Sequence, residues 1–266
     1  MIIGVVILLA SLLVAVYKAV QLAKQALSLH STGLHKHLRL QDAVLLITAH
    51  PDDECMFFAP SIRTLRRLNI PVHVLCLSRG NHDGLGCQRE KELEGSCRVL
   101  GVTCTVLEEA SLQDGPGPWS CEQVAMAIED FMETTDTRFT ILMTFDRWGV
   151  SSHPNHRDTH LGVRHFAHTT SIASFSLLEL ESVPLVAKYV GPLGLVYELM
   201  QSHLAGQRSS LEETKRLIAL MPDGEHYKVG LGAMRQHASQ LVWFRFLYLM
   251  FSRYLHINTL YYRRPR

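Results

Sequence analysis

Apolar and polar positions follow two regimes along the chain. From Ile2 to Tyr17 nearly every position is apolar, and the run continues past Lys18 through Ala23. A membrane span needs about 20 residues, so this stretch is long enough with Lys18 at the interface. No charged segment precedes it and no small-x-small cleavage site follows, so an uncleaved anchor is expected rather than a signal peptide. Lys18, Lys24, Lys36 and Arg39 all come after the apolar run. The positive-inside rule then puts the N-terminus outside and the bulk of the chain in the cytosol. Residues 1–27 are therefore expected as the anchor and 28–41, rich in His and Ser, as a linker. From residue 42 the pattern changes to short apolar runs separated by amphipathic ones. It predicts strands at Ala43–Ala49, Pro71–Ser78, Val102–Leu107 and Phe139–Phe145. Helices are predicted at Met56–Leu68, Cys87–Leu100, Glu122–Thr134 and Arg157–Ala167. Such alternation implies an α/β domain, over 42–266, with a mostly parallel sheet and helices on both faces.

Composition narrows the chemistry. The 266 residues carry a formal charge of +1, and nothing in their distribution suggests nucleic acid. Six cysteines are scattered without a CxxC pair, as in a reduced, cytosol-facing domain rather than a disulfide framework. Gly80 to Gly86 lacks GxGxxG spacing, which argues against a dinucleotide-dependent dehydrogenase.

The first strand ends in His50-Pro51-Asp52-Asp53-Glu54. Proline and acids suit a helix N-terminus by themselves, and that reading stays open for the carboxylates. His50 does not fit it, because a cation-capable ring is unfavourable at that end. His50 and Asp53 can face one side of a tight turn, with Asp52 free to face whatever they bind. The strand Phe139–Phe145 ends similarly, in Asp146 and then His153-Pro154-Asn155-His156. In open α/β sheets ligands bind where strands end and helices begin. Two strand ends thus deliver His50, Asp53, His153 and His156 to one rim.

These two motifs, each after a strand, resemble the PIG-L/LmbE-like family of zinc-dependent de-N-acetylases over residues 43–165. The resemblance implies a Rossmann-like (LmbE-like) fold. The N-terminal anchor, Thr144-Phe145-Asp146, Ser239 to Arg245 and Phe251 to Tyr254 make the chain most similar to the eukaryotic branch acting on a phosphatidylinositol glycolipid in GPI-anchor synthesis. That branch implies an endoplasmic reticulum membrane location with the catalytic domain facing the cytosol. Carried over by motif, His50, Asp53 and His156 hold Zn2+, a set that also suits iron, manganese or cobalt. Asp52 is implied as the general base and His153 as the group stabilising the oxyanion. Relatives often have Asp where this chain has Asn155, which changes the support for a charged His153, and Asp146 is the candidate substitute. Bacterial relatives carry a Tyr at the position of Ser151. Arg89 matches an arginine on the inositol side of bacterial sites; a solvated helix charge is its alternative reading. Arg79 and Asn81 are further substrate-contact candidates. Val183–Met200, broken by Pro and Gly, is not a simple span. Leu241–Phe251, followed by Arg253, Arg263, Arg264 and Arg266, suits either a helix at an anionic membrane surface or a core helix with a basic end.

Overall fold

A computed structural model of the chain describes residues 2–30, 38–115, 117–205, 214–220 and 224–264. Most of the expected linker, residues 31–37, and Arg266 lie outside the described residues. The described elements, in order, are α1 (Ile2–His30), β1 (Val44–Thr48), α2 (Asp53–Met56), α3 (Ala59–Arg67), β2 (Val72–Cys76), α4 (Gly86–Leu100), β3 (Thr103–Val106), α5 (Cys121–Thr134) and β4 (Ile141–Phe145). Then come α6 (Gly149–Ser152), α7 (Pro154–Thr169), β5 (Ser176–Leu180), α8 (Leu185–Lys188), α9 (Gly194–Ala205), β6 (Thr214–Leu220), α10 (Gly224–Met234), α11 (Trp243–Phe251) and β7 (Ile257–Arg263).

All seven strands form one sheet in the order β3-β2-β1-β4-β5-β7-β6. The first five are parallel, and β7 runs antiparallel to both β5 and β6. Every residue of β1 and of β4 is buried, as expected for central parallel strands covered on both faces. Alternation splits them between two cores. Val44, Leu46, Met143 and Phe145 pack on one face with α3 residues such as Ile62 and Leu65. Leu45, Ile47 and Leu142 pack on the other with Val124 and Ile128 of α5 and Val163 of α7.

The strand order turns back between β1 and β4. β2 and β3 extend one way from β1, while β4 and β5 extend the other. A crevice opens at the carboxyl ends of strands at such a switch point.

Three details differ from the sequence pattern. The single helix expected from Met56 is two, with Phe57 and Phe58 between α2 and α3. Pro60 near the start of α3 fits a helix beginning there rather than continuing. The tail forms β7 inside the sheet instead of lying on a surface. Arg263 Nε donates to Glu179 Oε2 at 2.9 Å, and Arg253, only 1% exposed, donates to Glu198 at 3.1 Å. Two of the tail's basic residues are thus matched internally. The third concerns α1, whose Ala23 and Leu27 pack against Leu195, Ile218 and Ile257, while Leu9, Leu12, Leu13 and Tyr17 are exposed. Among the described residues no helix is long and apolar enough to cross a membrane.

Candidate active site

The turn after β1 is fixed by one carboxylate. Asp53 Oδ2 accepts from the amides of Ala49 and His50, at 3.0 and 2.9 Å. Its other oxygen faces His156 Nε2 at 3.2 Å. Asp52 takes a left-handed backbone, φ 121°, which a non-glycine residue adopts only under constraint. The constraint is Glu54: its Oε2 accepts the Asp52 amide at 3.1 Å, and its Oε1 accepts from Ser96 and, at 2.8 Å, from His237 Nε2. Glu54, Ser96 and His237 are completely buried. Burial would raise the Glu54 carboxyl, but the His237 charge holds it below its usual value, and Glu54 in turn raises His237.

The loop after β4 is pinned by Asp146. Its carboxylate accepts from the amides of Trp148, Gly149 and Ser182 and from the Ser182 hydroxyl. Asp146 therefore shapes the loop and is not among the residues lining the cavity. Gly149 has φ 59°, and a Cβ there would lie 2.7 Å from His156 Cβ. The His156 ring stacks flat on Phe145, centroids 4.1 Å apart, with Nδ1 3.1 Å from the Gly149 carbonyl. That contact assigns the proton to Nδ1 and turns Nε2 toward Asp53.

The two loops meet over the switch point. One nitrogen from each of His50, His153 and His156 lies within 4.8 Å of the others. Asp53 sits against His156 and is 3.9 Å from His50. Burial would raise the Asp53 carboxyl, but His156 and then His50 hold it well below the carboxylate range. Burial instead dominates for Asp52, whose carboxyl is raised despite Arg245 at 3.1 Å and Arg89 at 3.9 Å. His153 is more exposed than the other two; partial burial and the neighbouring His156 and His50 push it down to about 4. Asn155 reaches a different histidine from the one expected, with Nδ2 3.1 Å from His50 Nε2.

His50, Asp52, Asp53, His153 and His156 line a cavity of about 750 Å³. Arg89 lies there, 8% exposed, and donates to the carbonyls of Gly80 and Pro51, both at 2.8 Å. It is no solvated helix charge. Arg79 and Asn81 are not among the lining residues. Arg79 pairs with Glu90 and Glu108, and Asn81 Oδ1 accepts the Gly86 amide. Three charged lining residues were not singled out as site residues from the sequence: Asp114, Lys188 and Arg245. Asp114 lies 3.3 Å from His50 Nε2 and 3.7 Å from Arg89. Arg245 had one usable signal, as the only cation in the otherwise apolar and aromatic α11.

The donor set fits a divalent metal. Two imidazoles and a carboxylate converge with a third imidazole beside them. His156 presents both nitrogens to acceptors, Gly149 O and Asp53 Oδ1, so a cation, either proton or metal, belongs between Nε2 and the carboxylate. Such a set leaves positions free for water or substrate, as catalytic rather than structural zinc sites do.

Comparison with known proteins places this geometry. A family model described as PIG-L, GlcNAc-PI de-N-acetylase, matches residues 45–167. The N-acetylglucosaminyl-phosphatidylinositol de-N-acetylase of Bos taurus is 36% identical over 225 residues, covering 81% of each chain. The chain belongs to the PIG-L family. A second PIG-L relative, the probable N-acetylglucosaminyl-phosphatidylinositol de-N-acetylase of Schizosaccharomyces pombe, is 35% identical over 82% of this chain and 86% of its own. Two solved structures share the fold. The N,N'-diacetylchitobiose deacetylase from Pyrococcus horikoshii aligns with a TM-score of 0.51 at 22% identity, covering 77% of this chain and 75% of its own. The zinc inhibited form of teicoplanin deacetylase Orf2 aligns at 0.57 and 14% identity, covering 84% and 98%. The PIG-L match spans both strand ends that carry the site, from β1 through α7.

Proposed function

We propose that this chain is a metal-dependent de-N-acetylase that hydrolyses the acetamide of N-acetylglucosaminyl-phosphatidylinositol, giving glucosaminyl-phosphatidylinositol and acetate, the second step of GPI-anchor synthesis. The observation that carries the reading is the convergence of Asp52 with His50, Asp53, His153 and His156 on the lining of one cavity. The same cavity also has an apolar and aromatic lining from Phe244, Leu247 and Phe251. PIG-L relatives named for that same reaction support the substrate.

His50, Asp53 and His156 would hold Zn2+, which when bound polarises the acetamide carbonyl and acidifies water. Asp52, whose carboxyl burial has made more basic, takes the proton from the attacking water and returns it to the departing amine. The C–N bond of the amide breaks as the C–O bond of acetate forms. His153 donates a hydrogen bond to the developing oxyanion. Asn155 and Glu54 hold His50 and Asp52 in place. Arg89 and Asp114 face the same cavity and offer a guanidinium and a carboxylate to sugar or inositol hydroxyls.

The proposal extends to location. The exposed apolar positions of α1 and the basic residues after it support an anchor in the endoplasmic reticulum membrane, with the domain facing the cytosol. The exposed aromatics of α11 support a cavity mouth that meets the bilayer.

The test is acetate release from the glycolipid in detergent, by wild type, by chelated protein with metal added back, and by Asp52→Asn. Metal-restorable turnover that falls roughly 100- to 10,000-fold in Asp52→Asn is expected. Turnover unaffected by that substitution would refute the assignment of the base.

A further inference from the structure

Three cations line the cavity, and two are already matched. Arg89 reaches Asp52, Asp114 and two carbonyls, and Arg245 pairs with Asp52. Lys188 differs. It ends α8 with only 6% of its surface exposed. Among the described residues no carboxylate lies within ion-pairing distance of it. Its ammonium rests 5.5 Å from the Tyr189 ring centroid. Partial burial alone holds the ammonium below the ordinary lysine value, and its place on the cavity lining leaves it open to a ligand. An arriving anion would favour its charged form.

The surroundings specify the kind of anion. The same cavity is lined by the histidines and aspartates and by Phe244, Leu247 and Phe251 of α11. Next to Lys188 in α8, Leu185 and Val186 are 72% and 79% exposed. A ligand that meets all of these carries a polar part, an anionic group and an apolar part.

We propose that Lys188 is the phosphodiester-binding residue of the cavity. It would recognise the phosphate that joins the inositol to the diacylglycerol and so select lipid-linked substrate over the free glycan. This rests on reading the cavity as the de-N-acetylase site. A single point charge suits a diester, which bears one negative charge.

The experiment compares wild type, Lys188→Met and Lys188→Arg on two substrates. One is N-acetylglucosaminyl-phosphatidylinositol and the other is N-acetylglucosaminyl-inositol without phosphate. The ratio of kcat/KM for the first over the second should fall roughly tenfold to a hundredfold in Lys188→Met, mainly through KM. Lys188→Arg should recover most of it. Glycerophosphoinositol titrated calorimetrically into the same proteins should bind at least about tenfold more weakly to Lys188→Met. This arm needs no turnover, so it decides the Lys188 assignment even if wild type deacetylates neither substrate, a result that would instead sink the proposed reaction. Inorganic phosphate, titrated alongside, should compete poorly; competition equal to that of glycerophosphoinositol would overturn the assignment to a diester. The melting temperature of Lys188→Met should not fall, because an unmatched charge has been replaced by an apolar chain of similar length. An unchanged substrate ratio together with unchanged glycerophosphoinositol affinity would overturn the proposal.

Discussion

The pair Glu54 and His237 offers a sharp test of how the site is built. The two are 183 residues apart in sequence, wholly buried and 2.8 Å from each other. His237→Phe removes the imidazole and leaves Glu54 buried, with only Ser96 and the Asp52 amide as donors. Breaking one side of a buried pair costs about 3–5 kcal/mol, a large part of a total stability of roughly 5–15 kcal/mol. Glu54→Gln should be milder. The amide oxygen can still accept from Asp52, while its NH2 group donates to Ser96 and to a neutral His237 ring, for a loss of about 1–2 kcal/mol. Removing both partners, as Glu54→Leu with His237→Leu, should cost less than the two single changes summed, by about 2–3 kcal/mol. Urea unfolding followed by tryptophan fluorescence gives each value by linear extrapolation. Turnover should fall further than stability accounts for, since Glu54 also holds Asp52 at φ 121°. Additivity within about 0.5 kcal/mol, or Glu54→Gln as damaging as His237→Phe, would refute the pair as the anchor of the turn.

Three further outcomes follow from particular contacts. A Cβ at Gly162 would stand 2.3 Å from the Val124 side chain, so Gly162→Val should separate α5 from α7 and cost about 1–3 kcal/mol in thermal or chemical unfolding; wild-type stability would contradict the close packing. Gly149→Ala should lower zinc content and turnover while circular dichroism stays native, because the added carbon displaces His156 and the φ of 59° strains the loop; full metal occupancy by mass spectrometry would count against this. On α11, Trp243 and Phe246 are 75% and 55% exposed, so replacing both with Ser should reduce sedimentation with anionic vesicles and leave the melting temperature within about 1 °C, as for exposed positions; undiminished vesicle binding would remove α11 from the membrane-facing surface.

What the sequence made legible was local. The runs Ala43–Ala49, Pro71–Ser78 and Phe139–Phe145 became β1, β2 and β4 near their expected places, because both faces of an interior parallel strand are covered and its residues need no polar alternation; Val102–Leu107 became the partly exposed edge strand β3. The topological rule that brings loops to one sheet edge sufficed to place His50 beside His156, even though 106 positions separate them. Residues whose roles depend on distant partners were not legible. Arg253 and Arg263 read as a basic surface because nothing nearby in sequence announces Glu198 or Glu179, which neutralise them inside the fold. Arg79, chosen for its place at a strand end, proved to be turned toward Glu90 and Glu108.

The same contrast explains which cations serve the cavity. Arg253 and Arg216 share Glu198, and Arg216 also reaches Glu181, so these guanidinium charges are neutralised within the described fold. Arg89 is held between the Gly80 and Pro51 carbonyls and faces the carboxylates of Asp52 and Asp114. Lys188 has neither kind of partner, yet it is as buried as Arg89. A cation on the cavity lining that no carboxylate neutralises is available to an arriving anion. The β1 and β4 loops supply the hydrolytic groups, and α11 supplies the apolar wall. Lys188 of α8 adds to the same lining a cation that a hydrolase for a neutral glycan would not require.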